Sequence, residues 1–258
     1  MPTAASAERA QHGWDNRGRP HVGAHLTHLP PPPASSPPLT RADLATAPTA
    51  LLRDGRWANA QVFRVEGGGR TWVVKDFSRR GFWVRHTIGP LLLRRELRAL
   101  QRLDGIDGIP KRAFRIDRNA IAAEFIPGVT LGQVPGEVMD SAFFTDLERL
   151  LNAVHARGIV HLDTRGTGNM LRRPDGKPAL IDFQASLDTR WMPASWRRWL
   201  DDLDMTGVYK KWLLHDPDSM GSARCELYER MTRRRRLWIA RGYAGATKQK
   251  PSGPSGPT

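Results

Sequence analysis

The chain has 258 residues and carries 40 Lys and Arg against 26 Asp and Glu, which gives a net charge of +14. This length is typical of one compact unit or two small lobes, and it is enough to bury a sizeable core. A single cysteine, Cys225, excludes an internal disulfide framework and a cysteine-based zinc cluster. The first residues lack the apolar stretch of a secretory signal and no run is long enough to span a membrane, so we expect a cytoplasmic protein.

Both ends of the chain have compositions that do not predict a packed core. Residues 1–40 contain the run PPPASSPP and almost no periodic apolar pattern, so we expect a disordered, Pro-rich arm. Residues 242–258 are predicted to be a disordered basic tail. Just before that tail, four consecutive arginines are candidates for contact with anionic lipid or RNA: Arg233, Arg234, Arg235 and Arg236. A solvated basic segment without a partner is the alternative.

Residues 41–127 have the pattern of a small β-rich lobe. The segment 55–77 predicts two strands joined by a glycine turn at 67–69. The segment 114–126 predicts another hairpin, which turns at 117–119. Between them, LLLRRELRALQRL predicts a helix whose leucines share one face.

Glu96 lies on the apolar face of this predicted helix: viewed down the helix axis, at 100° per residue, it falls between the directions of Leu100 and Leu103. A buried carboxylate is costly without a cation nearby. Lys75, in the apolar strand sequence TWVVKDF, is the predicted partner. The alternative is that Glu96 reaches solvent at the edge of the leucine stripe.

Residues 128–241 predict a helix-rich lobe that follows a hinge near Pro127. Apolar residues at helical spacing predict a helix from Asp140 to Arg157, and Gly158 is expected to end it.

A tryptophan-rich segment in this lobe has two interpretations. It contains Trp191, Trp196, Trp199 and Trp212 with basic neighbours. Tryptophan and arginine together suit a membrane interface. We favour the alternative, in which one helix face packs under the lobe; its members are Trp196, Trp199, Leu200, Leu203 and Val208.

A hairpin is predicted over NMLRRPDGKPALID, with its turn at Pro174-Asp175-Gly176. In one register Arg173 faces Lys177. A strict two-residue loop instead pairs Pro174 with Lys177, and Asn169 then lies opposite Asp182 at the open end. Amide and carboxylate oxygens are ligands of the kind that bind Mg²⁺ beside a phosphate, although such pairs also occur without a metal.

Asp163 follows an apolar, strand-like stretch in IVHLDTRGTGN and precedes a loop that returns to Asn169. A carboxylate there can accept or orient a hydroxyl proton, with Arg165 neutralising phosphate charge. A loop-capping aspartate is the simpler alternative. His155 and His161 have no third nitrogen or sulfur ligand near them in sequence, so we expect His161 to shape the loop by hydrogen bonding.

The order of these parts resembles the protein-kinase-like superfamily. The matching parts are Lys75 in a strand, Glu96 in a helix, then EFIPG, HLD, Asn169 and IDF. The resemblance covers roughly residues 50–190. It implies a two-lobed α+β protein-kinase-like fold, with a small β-rich N-lobe and a shortened helical C-lobe.

The resemblance also implies the activity of an ATP- and Mg²⁺-dependent kinase and a role for each candidate residue. The residues that would bind the nucleotide are Lys75, Glu96 as the residue that fixes Lys75, and the hinge backbone from Glu124 to Ile126, with Ala123 behind it. The residues that would serve the transfer are Asp163 as base, Arg165, and Asn169 and Asp182 as Mg²⁺ ligands.

Several features depart from the usual pattern of the superfamily. Gly55 is nearly all that remains of the glycine-rich loop, HLD replaces HRD, and Gln184 replaces the glycine of DFG. Asn169 follows Asp163 by one residue more than usual, and no APE-like motif follows Asp182. These departures make the chain resemble the compact atypical branch, with its RIO-type kinases and bacterial lipopolysaccharide-core sugar kinases.

The expected acceptor is a hydroxyl of a protein Ser/Thr or of a lipid-linked sugar. We expect a cytoplasmic location, with peripheral attachment at the inner membrane face as the variant that suits a lipid-linked acceptor. A pseudokinase that binds nucleotide or a partner without turnover is the alternative, and nucleic-acid binding through the arginine cluster is a third hypothesis.

Overall fold

The computed structural model describes residues 39–243, except residues 48, 56–58, 135–138 and 167, and only the backbone of residues 235–243. These residues belong to one of the chain's two units, Pro37–Thr258. The predicted Pro-rich arm, apart from Leu39 and Thr40, and the predicted tail beyond Tyr243 lie outside the described residues. Both stay predictions, as do the lobe boundaries.

An antiparallel sheet of five strands forms the N-terminal region. Its strands are β1 (Thr49–Arg53), β2 (Gln61–Gly67), β3 (Arg70–Asp76), β4 (Phe114–Asp117) and β5 (Ala120–Glu124), in the order β1-β2-β3-β5-β4. Both predicted hairpins are confirmed. The first turns at Gly68 and Gly69, whose φ angles of 58° and 71° lie in the left-handed region that favours glycine. Strand β1 was not predicted from the sequence pattern.

Two helices accompany this sheet, α1 (Arg41–Thr46) and α2 (Gly89–Arg102). Helix α2 confirms the leucine-rich prediction, and it is extended at its N-terminal side by a π-helical turn, Val84–Ile88, that was not predicted. Leu93 and Leu97 of α2 pack against Ile121 on one face of the sheet. The opposite face buries Trp72 together with Leu39.

The C-terminal region is mainly helical, with α3 (Ser141–Ala156), α4 (Ala194–His215) and α5 (Ser222–Tyr243). The predicted helix α3 is confirmed: the Asp140 side chain caps it by accepting the Phe143 N–H at 2.9 Å, and Gly158 follows with φ 73°. The Phe144 ring stacks on Trp212 of α4 in the core between these helices, with ring centroids 5.5 Å apart.

Short strands and one-turn helices connect these helices and carry the loops described below. The strands are β6 (Val129–Thr130), β7 (Ile159–Val160), β8 (Met170–Arg172), β9 (Pro178–Leu180) and β10 (Leu187–Asp188), and the 3₁₀ turns are Phe183–Ala185 and Pro217–Ser219. Strands β6, β8 and β9 form one small sheet, and β7 pairs with β10.

The hairpin of β8 and β9 adopts the register in which Arg173 faces Lys177, since Met170 pairs with Leu180. The alternative register, with Asn169 directly opposite Asp182, is wrong: the Asn169 carbonyl accepts the N–H of Ile181 at 3.0 Å. The turn has three residues because Gly176 takes φ 83° and adds one residue to the loop.

The predicted packing of Trp196 and Trp199 under the lobe is wrong, because their exposed fractions are 63% and 41%. The physical reason is that the first six residues of α4 run past the core, and none of them is buried. Trp212, near the other end of α4, is buried as a core residue.

The predicted fold class is confirmed: an antiparallel, β-rich N-terminal region precedes a helical C-terminal part. In the part of the chain that the structure describes, no helix is both long enough and apolar enough to cross a bilayer.

Candidate functional site

Lys75 joins two carboxylates that come from different regions of the fold. Its Nζ lies 2.6 and 2.8 Å from the two carboxylate oxygens of Glu96 on α2, and 2.6 Å from Oδ1 of Asp182. Lys75 pairs with Ile121 in the sheet, and Ile121 packs on the leucines of α2, so this face of β3 is turned toward the helix that carries Glu96. The predicted pairing of Lys75 with Glu96 is therefore observed, and Asp182 is an additional partner.

Burial and charge act in opposite directions on this cluster. Desolvation by itself lowers the pKa of Lys75, but the carboxylates of Glu96 and Asp182 outweigh it and raise that pKa above its ordinary value. Desolvation opposes ionisation of Asp182, yet Lys75 holds the pKa of the Asp182 carboxyl below its usual range. Lys75 is therefore a charged ammonium and Asp182 a charged carboxylate at neutral pH.

Asp182 has a left-handed backbone, with φ 64° and ψ 67°, just before the 3₁₀ turn that starts at Phe183. A residue other than glycine pays roughly 1–2 kcal/mol for this conformation. The surrounding contacts compensate: Phe183 is fully buried against the His161 ring, with centroids 4.6 Å apart, and Lys75 holds the carboxylate. The second oxygen of Asp182 lies 3.9 Å from Nη1 of Arg53, at the end of β1.

Helix α2 is also attached to the segment that follows Asp182. The guanidinium of Arg95 donates to the backbone carbonyls of Ser186 and Ala185. Arg95 is the neighbour of Glu96, so these contacts hold the helix in the position that brings Glu96 to Lys75.

Asp204 of α4 anchors the loop that contains Asp163. This carboxylate is fully buried and accepts the N–H groups of His161 at 2.7 Å and Leu162 at 2.9 Å. The Nε2 atom of His155 lies 3.0 Å from the same carboxylate, and the Thr164 hydroxyl donates to the Asp204 carbonyl at 2.6 Å. Leu162 takes φ 63°, so the chain reverses here under the control of α4.

His161 shapes the loop by hydrogen bonding, as predicted. Its Nε2 bonds to the carbonyl of Ile181 at 2.9 Å, which makes Nε2 the donor, and its Nδ1 accepts the N–H of Asp163 at 3.3 Å. These two contacts connect the loop of Asp163 to the residue before Asp182.

Asp163 is exposed, and Asn169 is buried beside it. The Nδ2 of Asn169 donates to Oδ2 of Asp163 at 2.7 Å and to its backbone carbonyl at 3.0 Å. The amide oxygen of Asn169 is therefore its remaining acceptor. Arg165 is half-buried and donates from Nη1 to the Thr206 hydroxyl at 2.8 Å, so the structure attaches it to α4.

The predicted hinge residues lie at the end of β5. The carboxylate of Glu124 pairs with Arg70 at 3.3 Å and Arg112 at 3.4 Å. The backbone N–H of Glu124 donates to the Lys111 carbonyl at 2.9 Å. The Phe125 N–H is also satisfied, by the Thr71 carbonyl at 2.9 Å. In the described ranges, the N–H of Ile126 makes no hydrogen bond.

A cavity of about 370 Å³ lies beside the hinge, lined by residues that include Glu124, Ile126, Lys111 and Arg173. Lys75 and Asp182 are not among its lining residues. This cavity is therefore separate from the ion-pair cluster. No group of three His, Cys, Asp or Glu side chains suited to a metal ion occurs among the residues that the structure describes.

The sequence interpretation missed Arg53, Asp204 and Gly207. Asp204 had a detectable signal, because it lies four residues from both Leu200 and Val208 on the apolar face of α4, as Glu96 does among the leucines of α2. A Cβ on Gly207 would lie 2.5 Å from the carbonyl carbon of Thr164, so α4 approaches the loop too closely for any other residue. Nothing in the short β1 segment marks Arg53.

No protein-family model and no curated protein sequence matches the chain. Among solved structures it is similar to a crystal structure of the Rio2 kinase–ADP/Mg²⁺–phosphoaspartate complex from Chaetomium thermophilum. The TM-score is 0.49 at 14% sequence identity, and the alignment covers 76% of this chain and 74% of that chain. At this level of similarity no function is transferred from one chain to the other.

Proposed function

We propose that this chain is an ATP- and Mg²⁺-dependent phosphotransferase with a protein-kinase-like fold, acting on a hydroxyl of a protein Ser/Thr or of a lipopolysaccharide-core sugar. One observation carries the proposal: the Lys75 ammonium bridges Glu96 of α2 and Asp182 of the C-terminal region. A lysine with only a structural role would need no partner other than Glu96. The additional, partly exposed carboxylate of Asp182 favours a binding site in which the Lys75 ammonium and the Asp182 carboxylate both contact a ligand.

The cations around Asp182 support nucleotide binding. Lys75 and Arg53 both face this carboxylate, one on each oxygen. In the proposal the α- and β-phosphates take the place of Asp182 beside these cations, and Asp182 becomes free to bind Mg²⁺. The N–H of Ile126, which has no hydrogen-bond partner among the described residues, is the hinge donor that we assign to adenine, and the Glu124 backbone completes the hinge.

The oxygen atoms of Asn169 and Asp182 fit Mg²⁺, which prefers hard carboxylate and amide oxygens. Bound Mg²⁺ would neutralise charge on the transferred phosphoryl group. Because Nδ2 of Asn169 donates to Asp163, its Oδ1 is the atom left for the metal. Arg165 is proposed to neutralise phosphate charge with the donors that Thr206 does not use.

The exposed Asp163 carboxylate is the proposed base. It accepts the proton of the acceptor hydroxyl while the hydroxyl oxygen bonds to the γ-phosphorus, the bond to the bridging oxygen breaks, and ADP leaves. The hydrogen bond from Asn169 and the anchoring of the loop by Asp204 keep this carboxylate oriented.

Nucleotide binding is tested by thermal unfolding with ATP alone, Mg²⁺ alone and both together. A ligand at ~100 times its dissociation constant stabilises by about 2.7 kcal/mol, which raises the melting temperature by about 5–10 °C for a chain of this size. We expect this shift in the wild type and in Asp188→Asn, a control carboxylate outside the cluster. Lys75→Ala and Asp182→Asn should lose it, and Arg53→Ala should reduce it for ATP but leave a response to adenosine unchanged.

Phosphoryl transfer is tested separately with Asp163→Ala, because this exposed residue can be removed without emptying the core. The variant should keep the Mg-ATP shift and lose transfer to a Ser/Thr-containing protein and to lipopolysaccharide core oligosaccharide. Undiminished transfer would contradict the role of Asp163. Wild-type binding without transfer to either acceptor would favour the nucleotide-binding pseudokinase.

A further inference from the structure

Large apolar side chains are exposed where the π-helical turn meets α2. The exposed fractions are 75% for Trp83, 44% for Ile88 and 67% for Leu91. Residues five apart in a π-helix and three apart in an α-helix share a face, so these three side chains follow one another along one side of the element. Apolar exposure of this extent at neighbouring positions is a feature of interaction sites.

The same element is strongly basic. From Val84 to Arg102 it contains five arginines and a single carboxylate, that of Glu96. Continuing from Leu91, positions three and four residues apart on α2 are occupied by Arg94, Arg95, Arg98 and Arg102. The one carboxylate of α2, Glu96, is buried on Lys75, so it does not compensate these charges.

A groove of about 760 Å³ extends this surface toward β10, and its lining includes Leu91 of α2 and Trp191, which follows β10. Trp191 is 87% exposed. The only carboxylate that lines the groove in the described part of the chain, Asp188, is occupied by the Arg190 guanidinium at 2.7 Å. The groove therefore combines positive charge with exposed apolar side chains.

The four arginines of α2 differ in whether they already have a partner in the protein. Arg95 and Arg102 donate to backbone carbonyls within the protein, those of Ser186 and Arg157. Arg94 and Arg98 are exposed, and neither has a hydrogen bond or ion pair with any residue that the structure describes. We define the basic-apolar face by six residues: Trp83, Ile88, Leu91, Arg94, Arg98 and Trp191.

We propose that the basic-apolar face binds the surface of an anionic lipid bilayer. Tryptophan, leucine and isoleucine enter the boundary between headgroups and acyl chains, and arginines beside them meet lipid phosphates. The aliphatic Ile88 and Leu91 favour lipid over single-stranded nucleic acid, which binds through base stacking on aromatic rings. The uncompensated arginines favour an anionic surface over a neutral one. This inference does not depend on the proposed phosphotransfer.

The test is co-sedimentation of the full chain with vesicles of phosphatidylcholine alone and of phosphatidylcholine with about one third phosphatidylglycerol. We expect binding to the anionic vesicles only, weakened between ~0.1 M and ~0.5 M NaCl. Leu91→Ser and Trp83→Ser should each weaken binding about tenfold through lost apolar insertion. Arg94→Gln and Arg98→Gln should each weaken it about fivefold.

Matched control variants distinguish the loss of the basic-apolar face from the loss of any exposed leucine or arginine. Leu214→Ser removes another exposed leucine, at the far end of α4, and Arg149→Gln removes an exposed arginine that pairs with Asp146 on α3. Both should bind within about twofold of the wild type. The substituted residues are exposed, so we expect unchanged melting temperatures. A variant whose melting temperature is lowered is set aside, and Arg98→Glu then tests the face in its place.

Four results would overturn the proposal. Wild-type protein that does not bind anionic vesicles contradicts it, as does binding that survives the face variants but is lost in Arg233→Gln/Arg234→Gln. Loss of single-stranded RNA binding in the face variants, without any vesicle binding, would make this a nucleic-acid surface. A concentration-dependent dimer that Leu91→Ser dissociates, without vesicle binding, would make it a contact between two copies of the chain.

Discussion

The carboxylate of Asp204 accepts the backbone N–H of His161, a residue 43 positions earlier in the chain, at 2.7 Å. The same carboxylate accepts the N–H of Leu162. Helix α4 thus supplies, from the buried side, the acceptors that the backbone before Asp163 requires. The conformation of the candidate base depends on a residue that has no contact with the proposed ligands.

Replacement of Asp204 by alanine is expected to destabilise the protein strongly. It leaves the buried N–H of His161 and the partly buried N–H of Leu162 without an acceptor, at up to about 1–3 kcal/mol each. Asp204→Asn should cost less, because the amide keeps one acceptor oxygen. Urea unfolding measures the loss. Asp202→Ala, at a half-buried position on the same helix with no hydrogen bond to a described residue, is the control, and equal losses at both positions would contradict the anchoring role.

Gly207→Ala is expected to destabilise the protein although it places alanine in a helix. Helix propensity favours alanine over glycine by about 1 kcal/mol, but the new Cβ would overlap Thr164, and overpacking costs about 1–3 kcal/mol or more. The net loss should be about 1–2 kcal/mol in urea unfolding. Gly81→Ala, where nothing lies within 4 Å of the added Cβ, should change stability by less than about 0.5 kcal/mol. A more stable Gly207→Ala protein would show that α4 and the loop are less tightly packed than described.

Removing the cation of the buried cluster should cost more than removing one carboxylate. Lys75→Met leaves the buried Glu96 without a counter-charge and Asp182 with only the more distant Arg53, at 3.9 Å, and we expect a loss of about 3–5 kcal/mol. Glu96→Gln should cost about 1–2 kcal/mol, because Lys75 keeps Asp182. The double variant Lys75→Met/Glu96→Leu should regain part of the loss, since an apolar pair replaces a broken ion pair. Urea unfolding without nucleotide provides the comparison, and strictly additive losses would contradict the coupling.

The contact of Glu148 with α4 and α5 predicts a pH-dependent contribution to stability. Burial opposes ionisation of Glu148, but hydrogen bonds from Arg224 and Tyr209 hold its pKa below the ordinary value of 4.5. A lowered folded-state pKa gives a contribution that is present above pH 4.5 and is lost as the pH falls through the folded value. Glu148→Gln should therefore be less stable by about 1 kcal/mol at neutral pH and approach the wild type in acid.

The check is urea unfolding of both proteins across this pH range. Glu229→Gln is the matched control, because the pair of Glu229 with Arg233 is exposed and long, at 3.4 Å. Its substitution should change the free energy of unfolding at neutral pH by less than about 0.5 kcal/mol. A difference for Glu148→Gln that stays constant into acid would contradict the assigned pKa.

Much of the fold and part of the candidate site were predictable from the sequence. Turn residues and apolar periodicity are local signals, so the hairpin at Gly68 and the helix after Asp140 were predicted close to their observed bounds. The partnership of Lys75 with Glu96 was also predictable, since a carboxylate on an apolar helix face demands a cation. Asp204 was accessible to the same logic, whereas Arg53 was not, because its neighbours in sequence carry no sign of what it approaches.

The sequence by itself determined the strands β2 to β5, the helices α2 and α3 and the place of Glu96 on an apolar helix face, because these properties depend on residues a few positions apart. Only the tertiary structure decided that Asp182 joins Lys75, that α4 holds the loop of Asp163, and that Trp196 and Trp199 are exposed. These outcomes depend on which distant segments meet. A helix face is buried only when another element covers it, and periodicity carries no information about that element.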